Sequence, residues 1–176
     1  MQKYQFLDEN GSFELEKAEG DYGFYFPLAS ETGLKSAITP NLGGDSKLDQ
    51  NHFLMEPVSI ENLNNNKSGR NFWCRIKGEE PFVWSAVGNS AAAELLRFSE
   101  GADESKIQAG YMWHKQMRTS KEAGLSAEVT TFIPYNANIE ITKVTITNKG
   151  SEKITFVPTA VMPIYGRSAD NIRDHR

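Results

Sequence analysis

Leu125-Ser126-Ala127-Glu128-Val129-Thr130-Thr131-Phe132-Ile133 is the stretch that decides the fold. Leu125, Ala127, Val129 and Ile133 alternate with Ser126, Glu128 and Thr130. Successive side chains of a strand point to opposite faces, so this period of two predicts a strand with one buried and one wetter face. Residues 109–118, 139–147 and 154–164 are strand-like as well, with turn residues between them. In 139–147 the phase slips: Ile139 and Ile141 point one way, Val144 and Ile146 the other. A bulge near Thr142-Lys143, or burial on both faces, is the expectation there. Asn148-Lys149-Gly150-Ser151-Glu152 reads as a hairpin turn into the last strand.

The same punctuation runs back to the start of the chain. Residues 4–7 and 12–16 flank Asp8-Glu9-Asn10-Gly11, whose Asn-Gly tolerates the positive φ of a tight hairpin. Residues 22–27, 34–39, 52–55, 71–77 and 81–87 read as further short strands. Lys77-Gly78-Glu79-Glu80 joins the last two, and Pro40-Asn41-Leu42-Gly43-Gly44-Asp45 is a loop by its Gly and Pro content. Ala91-Ala92-Ala93-Glu94-Leu95-Leu96, within residues 89–98, is the convincing helical piece, with Ser90 as its N-cap. Many short strands without alternating βα units predict an all-β antiparallel sandwich, one domain over residues 1–176.

Composition narrows the function. The 176 residues are 39% hydrophobic, enough for one domain with a core. A net charge of −4 excludes the basic field that nucleic acid or an anionic membrane requires. The one cysteine, Cys74, excludes an internal disulfide; in its strand-like run it reads as a buried, inert thiol. No apolar run approaches the ~20 residues of a membrane span. The N-terminus lacks an apolar signal segment. A cytoplasmic location is therefore the expectation, and the sequons at Asn10 and Asn66 carry no weight.

Most constellations that carry chemistry are missing. Gly43-Gly44-Asp45-Ser46-Lys47 lacks the Gly-Lys-Ser/Thr of a phosphate loop and reads as a tight polar loop. His52, His114 and His175 have no metal-ligand spacing, and no Gly-x-Ser-x-Gly elbow occurs. Trp73, Trp84 and Trp113 could stack on sugars, but each sits in a strand-like run where core packing is the default. Arg70, Arg118 and Arg167 read as salt-bridge or surface residues before ligand clamps. The closing run Tyr165-Gly166-Arg167-Ser168-Ala169-Asp170-Asn171-Ile172-Arg173-Asp174-His175-Arg176 is dense in Arg, Asp, Asn and His, as a polar site or domain junction would be.

Several segments taken together carry a resemblance. They are Phe26-Pro27-Leu28-Ala29-Ser30-Glu31-Thr32-Gly33-Leu34, Asn51-His52-Phe53-Leu54-Met55-Glu56-Pro57, Ser68-Gly69-Arg70-Asn71-Phe72-Trp73, Trp84-Ser85-Ala86-Val87-Gly88, Ala109-Gly110-Tyr111-Met112-Trp113-His114-Lys115 and the run from Pro163 to Arg176. The chain resembles the N-terminal region of glycoside hydrolase family 94, the inverting β-glucoside phosphorylases, and its wording is nearest to 1,2-β-oligoglucan phosphorylases. The resemblance implies a galactose-mutarotase-like β-supersandwich. It implies a parent enzyme whose general-acid aspartate and phosphate-binding residues lie on a following (α/α)₆ barrel, so that this chain is a piece lacking that barrel. No catalytic residue is carried over. The implied substrate-binding candidates, near the sandwich–barrel junction, are Arg167, Asp170, Asn171, Arg173, Asp174 and His175. Their side chains suit polyol hydroxyls or an interdomain salt-bridge network.

The parent reaction implied by the resemblance is phosphorolysis of a β-glucoside to α-glucose 1-phosphate. Inorganic phosphate is the co-substrate and no organic cofactor or metal is needed. The implied partners are a β-glucan oligosaccharide, the barrel domain and a second copy in a homodimer. Two alternatives stay open. One is a free-standing carbohydrate-binding module stacking sugars on Trp73 or Trp113. The other is an aldose-epimerase-like enzyme, for which His114 and Glu128 are the acid–base pair to test.

Overall fold

The computed structural model describes residues 4–16, 24–57 and 69–166. Among these residues, thirteen strands form three antiparallel sheets, with one short helix besides. The largest has six strands in the order β1 (Tyr4–Phe6), β2 (Phe13–Glu16), β9 (Glu104–Gly110), β10 (Trp113–Ser120), β11 (Leu125–Phe132) and β12 (Ile141–Asn148). A four-stranded meander holds β3 (Phe26–Ala29), β4 (Lys35–Ile38), β5 (Ser46–Asp49) and β6 (His52–Met55). A three-stranded sheet has β7 (Asn71–Ile76) between β13 (Phe156–Val161) and β8 (Phe82–Ser85).

The two small sheets cover the inner face of the large one. One core cluster takes Leu28, Leu34 and Ile38 from the meander, Cys74, Ile76 and Trp84 from the three-stranded sheet, and Leu125, Ala127, Val129 and Ile133 from the β11 region. A second cluster, Leu15, Phe26, Ile107 and Ala109, closes the end near β2. The alternation that predicted the fold is thus a real face: Leu125, Ala127, Val129 and Ile133 are buried, and Glu128 is exposed. The all-β antiparallel sandwich follows.

Local chemistry explains the turns. Asp8 Oδ1 accepts from the backbone N–H of Asn10 and of Ser12, and Gly11 takes φ 85°, which closes the β1–β2 hairpin. Ser90 caps helix α1 (Ala91–Leu96) by accepting from Ala93 N–H at 3.1 Å. None of the helix residues is buried.

Four expectations are corrected. Residues 109–118 are not one strand. Gly110 ends β9, Met112 turns at φ 61°, and β10 returns along β9. Residues 139–147 carry no bulge. β12 pairs with β11 in unbroken register from Phe132↔Ile141 to Leu125↔Asn148. Thr142, Val144 and Ile146 face inward, Ile139 precedes the strand, and Ile141 is an exposed apolar residue on its outer face, so the slip is two exposed isoleucines at the entry to a regular strand. β12 and β13 do not form a hairpin; β13 crosses to the other layer and pairs with β7. There it is an edge strand, the place a strand proline such as Pro158 is tolerated, and most of it is exposed rather than buried. Finally, Ser46–Asp49 is a strand where none was expected.

Candidate functional site

Strand β10 is central in the large sheet, yet its entire inner face is polar. His114, Gln116, Arg118 and Ser120 are all buried. A buried polar group costs free energy unless it finds a partner, so each of these residues organises what surrounds it. Gln116 Nε2 donates to Val87 O at 2.8 Å. Arg118 Nη1 donates to Asp103 Oδ2 at 3.0 Å. Ser120 Oγ accepts from Ala123 N–H at 3.2 Å. His114 differs: its ring lies 4.9 Å from the ring of Phe26, and neither ring nitrogen has a hydrogen-bond partner among the described residues. Burial, and secondarily the positive charge of Arg70, depress its pKa to about 3. It is a neutral imidazole in a closed interior.

A second polar cluster lies between the meander and the large sheet. Arg70 is 1% exposed, and its Nε and Nη2 both donate to the Glu140 carboxylate. Ser36 Oγ also donates to Glu140. The rest of the guanidinium donates to carbonyls of the Gly-rich loop: Gly43 O at 3.3 Å and Asp45 O at 3.2 Å. The loop therefore turns its carbonyls, not its N–H groups, toward the guanidinium cation. That is the reverse of a phosphate cradle, and the tight-polar-loop reading stands. Gly44 is required there: at φ 100°, a Cβ would lie 1.8 Å from Ala37 O.

The third feature is a cleft of about 740 Å³ between helix α1, strand β8 and the start of β9. Asp103 lies at its base, where Oδ2 accepts from Trp84 Nε1 at 2.9 Å and from Arg118 at 3.0 Å. Gly88 makes room for that guanidinium; a Cβ on it would lie 1.9 Å from Arg118 Nη2. Helix α1 and its C-cap supply Glu94 and Arg97, joined at 3.0 Å, and Phe98 stands on the rim with the Arg97 guanidinium 5.4 Å from its ring centroid. Phe98 is 86% exposed.

The expected site residues divide clearly. Arg167, Asp170, Asn171, Arg173, Asp174 and His175 lie outside the described residues. The last described step toward them is Tyr165, whose N–H donates to Leu54 O at 2.7 Å, so the chain leaves β13 alongside β6. His114 and Glu128 do not converge. His114 faces the core, Glu128 pairs across from Met117 on the opposite face and is exposed, and Lys115 lies 3.9 Å from it. An acid and a base on opposite faces of one sheet cannot act on one carbon, which overturns that pair. Trp84 is buried and hydrogen-bonded, whereas Trp73 and Trp113 are half-buried. Arg70 and Arg118 are salt-bridge residues, as expected, but in the interior rather than on the surface. Burial pushes the Cys74 thiol up to about 11. Among the described residues, no group of His, Cys, Asp and Glu could hold a metal ion. Asp103 and Glu140 were missed; the one signal for Asp103 was its place in the turn-like Gly101-Ala102-Asp103 before a strand.

A protein-family profile described as "Glycosyl hydrolase 94, supersandwich domain" matches residues 30–171. No protein of curated function matches the chain.

Proposed function

This chain belongs to the glycosyl hydrolase 94 family as its supersandwich domain, and we propose that it is the non-catalytic sandwich of an inverting β-glucoside phosphorylase. The observation that carries the reading is the agreement of the match over 30–171 with a three-sheet antiparallel sandwich. In the proposed reaction, phosphate attacks the anomeric carbon at the non-reducing end of a β-glucan oligosaccharide of β-1,2 linkage. An acid protonates the departing oxygen, and α-glucose 1-phosphate forms with inversion. Phosphate takes the position of the activated water of an inverting hydrolase. The acid and the phosphate site belong to an (α/α)₆ barrel, against which this sandwich packs; it helps to form the edge of the sugar site and a homodimer contact.

Arg167, Asp170, Asn171, Arg173, Asp174 and His175 are the proposed sandwich-side residues of that edge. Tyr165, two residues before the first of them, donates its N–H to Leu54 O of β6. The test is an assay of glucose 1-phosphate release from β-1,2-glucan oligosaccharides and inorganic phosphate. It is run with the 176-residue chain alone and with the chain joined to the barrel polypeptide. The expected result is release only with the barrel. Release by the chain alone would overturn its non-catalytic role; no release from any β-glucoside with the barrel present would overturn the phosphorylase reading.

A further inference from the structure

We propose that the cleft beneath α1 is a binding site for a neutral oligosaccharide, formed by residues other than the proposed edge residues 167–175. Its size is right: ligand sites commonly enclose about 300–1,000 Å³, and this one encloses about 740 Å³. Its chemistry is that of hydroxyl recognition. Sugars present an apolar ring face and a rim of hydroxyls, each donor and acceptor. Phe98 offers an exposed aromatic face at the rim. Asp103 accepts Trp84 and Arg118 on the same oxygen, Oδ2, and a carboxylate has acceptor sites to spare on Oδ1. Glu94, two-thirds exposed beside Arg97, supplies a second carboxylate–guanidinium pair about the same opening.

The base of the cleft is also built in advance. Asp103 is fixed by two donors that are themselves buried, Trp84 in the core cluster and Arg118 on the inner face of β10. Arg118 is seated over Gly88, where no other residue fits without displacing it. A ligand thus meets a carboxylate already oriented, which lowers the ordering cost of binding.

Charge selects the class of sugar. Glu100, Glu104 and Glu122 join Asp103 and Glu94 around the cleft, while Lys121 joins Arg97 and Arg118. Five carboxylates against three cations leave the cleft two charges negative, so phosphorylated and carboxylated sugars are repelled. The nature of the sugar as a β-glucan rests on the function proposed above; the site itself stands on the cleft.

The test is an NMR titration of the chain with neutral β-glucan trisaccharides, without phosphate, following the three tryptophan indole N–H signals. The Trp84 signal reports the bond to Asp103. It is expected to shift saturably, while those of Trp73 and Trp113, outside the cleft, stay in place. Phe98→Ala removes an exposed ring and is expected to leave the spectrum folded and weaken binding at least tenfold. Tyr135→Ala, an exposed aromatic elsewhere, is expected to change nothing. A trisaccharide carrying a glucuronate is expected to bind more weakly.

No Trp84 shift with any neutral trisaccharide at millimolar concentration would overturn the proposal. So would a response undiminished in Phe98→Ala, or tighter binding of the glucuronate. If Phe98→Ala instead abolishes association with the barrel polypeptide and no glycan binds, the cleft is a protein contact and the proposal fails. Because no turnover is read, failed phosphorolysis leaves this result intact, and the reverse holds as well.

Discussion

His114 makes the stability of this domain depend on pH in a window where few other groups act. Its folded pKa is depressed to about 3 from an ordinary 6.5, by burial first and Arg70 second. Between those values the unfolded chain binds a proton at this imidazole and the folded chain does not. Stability is therefore highest above the unfolded value and falls as pH drops through 6.5 toward the folded value. At pH 5 the unfolded imidazole is almost wholly protonated while the folded one remains neutral. From pH 7 to pH 5 the difference amounts to about 2 kcal/mol, at 1.36 kcal/mol per pKa unit. Asp8, Glu14 and Asp49 are also held below their ordinary values, by hydrogen bonds from Ser12, Gln108 and Asn51 respectively. Their losses begin only near and below the ordinary carboxylate range, so pH 5–7 isolates the histidine. The assay is urea unfolding at pH 7 and pH 5 of the wild-type chain and of His114→Gln, which keeps a polar side chain but cannot titrate. The wild type is expected to lose about 2 kcal/mol more than the variant across this window. Equal losses would refute the reasoning, because they would mean that the folded protein accepts a proton at His114 as readily as the unfolded one.

Further outcomes follow from the other buried groups. Glu140→Ala leaves the Arg70 guanidinium in the interior without its carboxylate and is expected to cost about 3–5 kcal/mol in urea unfolding; a loss under 1 kcal/mol would contradict the pairing. Gly44→Ala and Gly33→Ala both place alanine at positive φ, but only Gly44 has a backbone oxygen in the way, so it is expected to lose clearly more than the ~1–3 kcal/mol of backbone strain alone. Cys74, with its thiol pushed up to about 11 and no exposure, is expected to resist a thiol reagent at pH 8 until urea unfolds the chain. Prompt labelling of the native protein would show the strand to be open there.

How much was legible depended on where the apolar residues lie. Residues 125–133 disclosed a strand and its buried face because that face is Leu125, Ala127, Val129 and Ile133. The strand beside it, β10, inverts the rule. Its buried face is His114, Gln116, Arg118 and Ser120, while Trp113, Lys115 and Met117 occupy the wetter one. Hydrophobic alternation read there gives the wrong side, and nothing local marks the two-residue turn at Tyr111-Met112. The β12–β13 hairpin failed for another reason. Turn residues at 148–152 announce that the chain reverses, not which sheet receives the next strand, and the choice of β7 was made by packing. The cleft was illegible altogether, since it joins Trp84, Glu94, Asp103 and Arg118 from β8, α1, a loop and β10. The helix itself was readable from its alanines and the Ser90 cap.

Asp103 and Glu140, part-buried carboxylates, differ in their hydrogen bonding from a general acid. A general acid must carry its proton toward a glycosidic oxygen, as a donor with its far side open to substrate. Asp103 and Glu140 are the reverse. Asp103 is an acceptor from Trp84 and Arg118, and Glu140 an acceptor from Arg70 and Ser36. On each, a guanidinium that is itself almost wholly buried donates to the carboxylate. What those pairs accomplish is mechanical. Arg70–Glu140 ties the Gly-rich loop of the meander to the start of β12, with Arg70 and Glu140 themselves 70 residues apart in the chain. Arg118–Asp103 ties the base of the α1 cleft to the central strand of the large sheet. Both pairs therefore fix loop segments to a rigid core. Such a frame holds those loops in register with the large sheet.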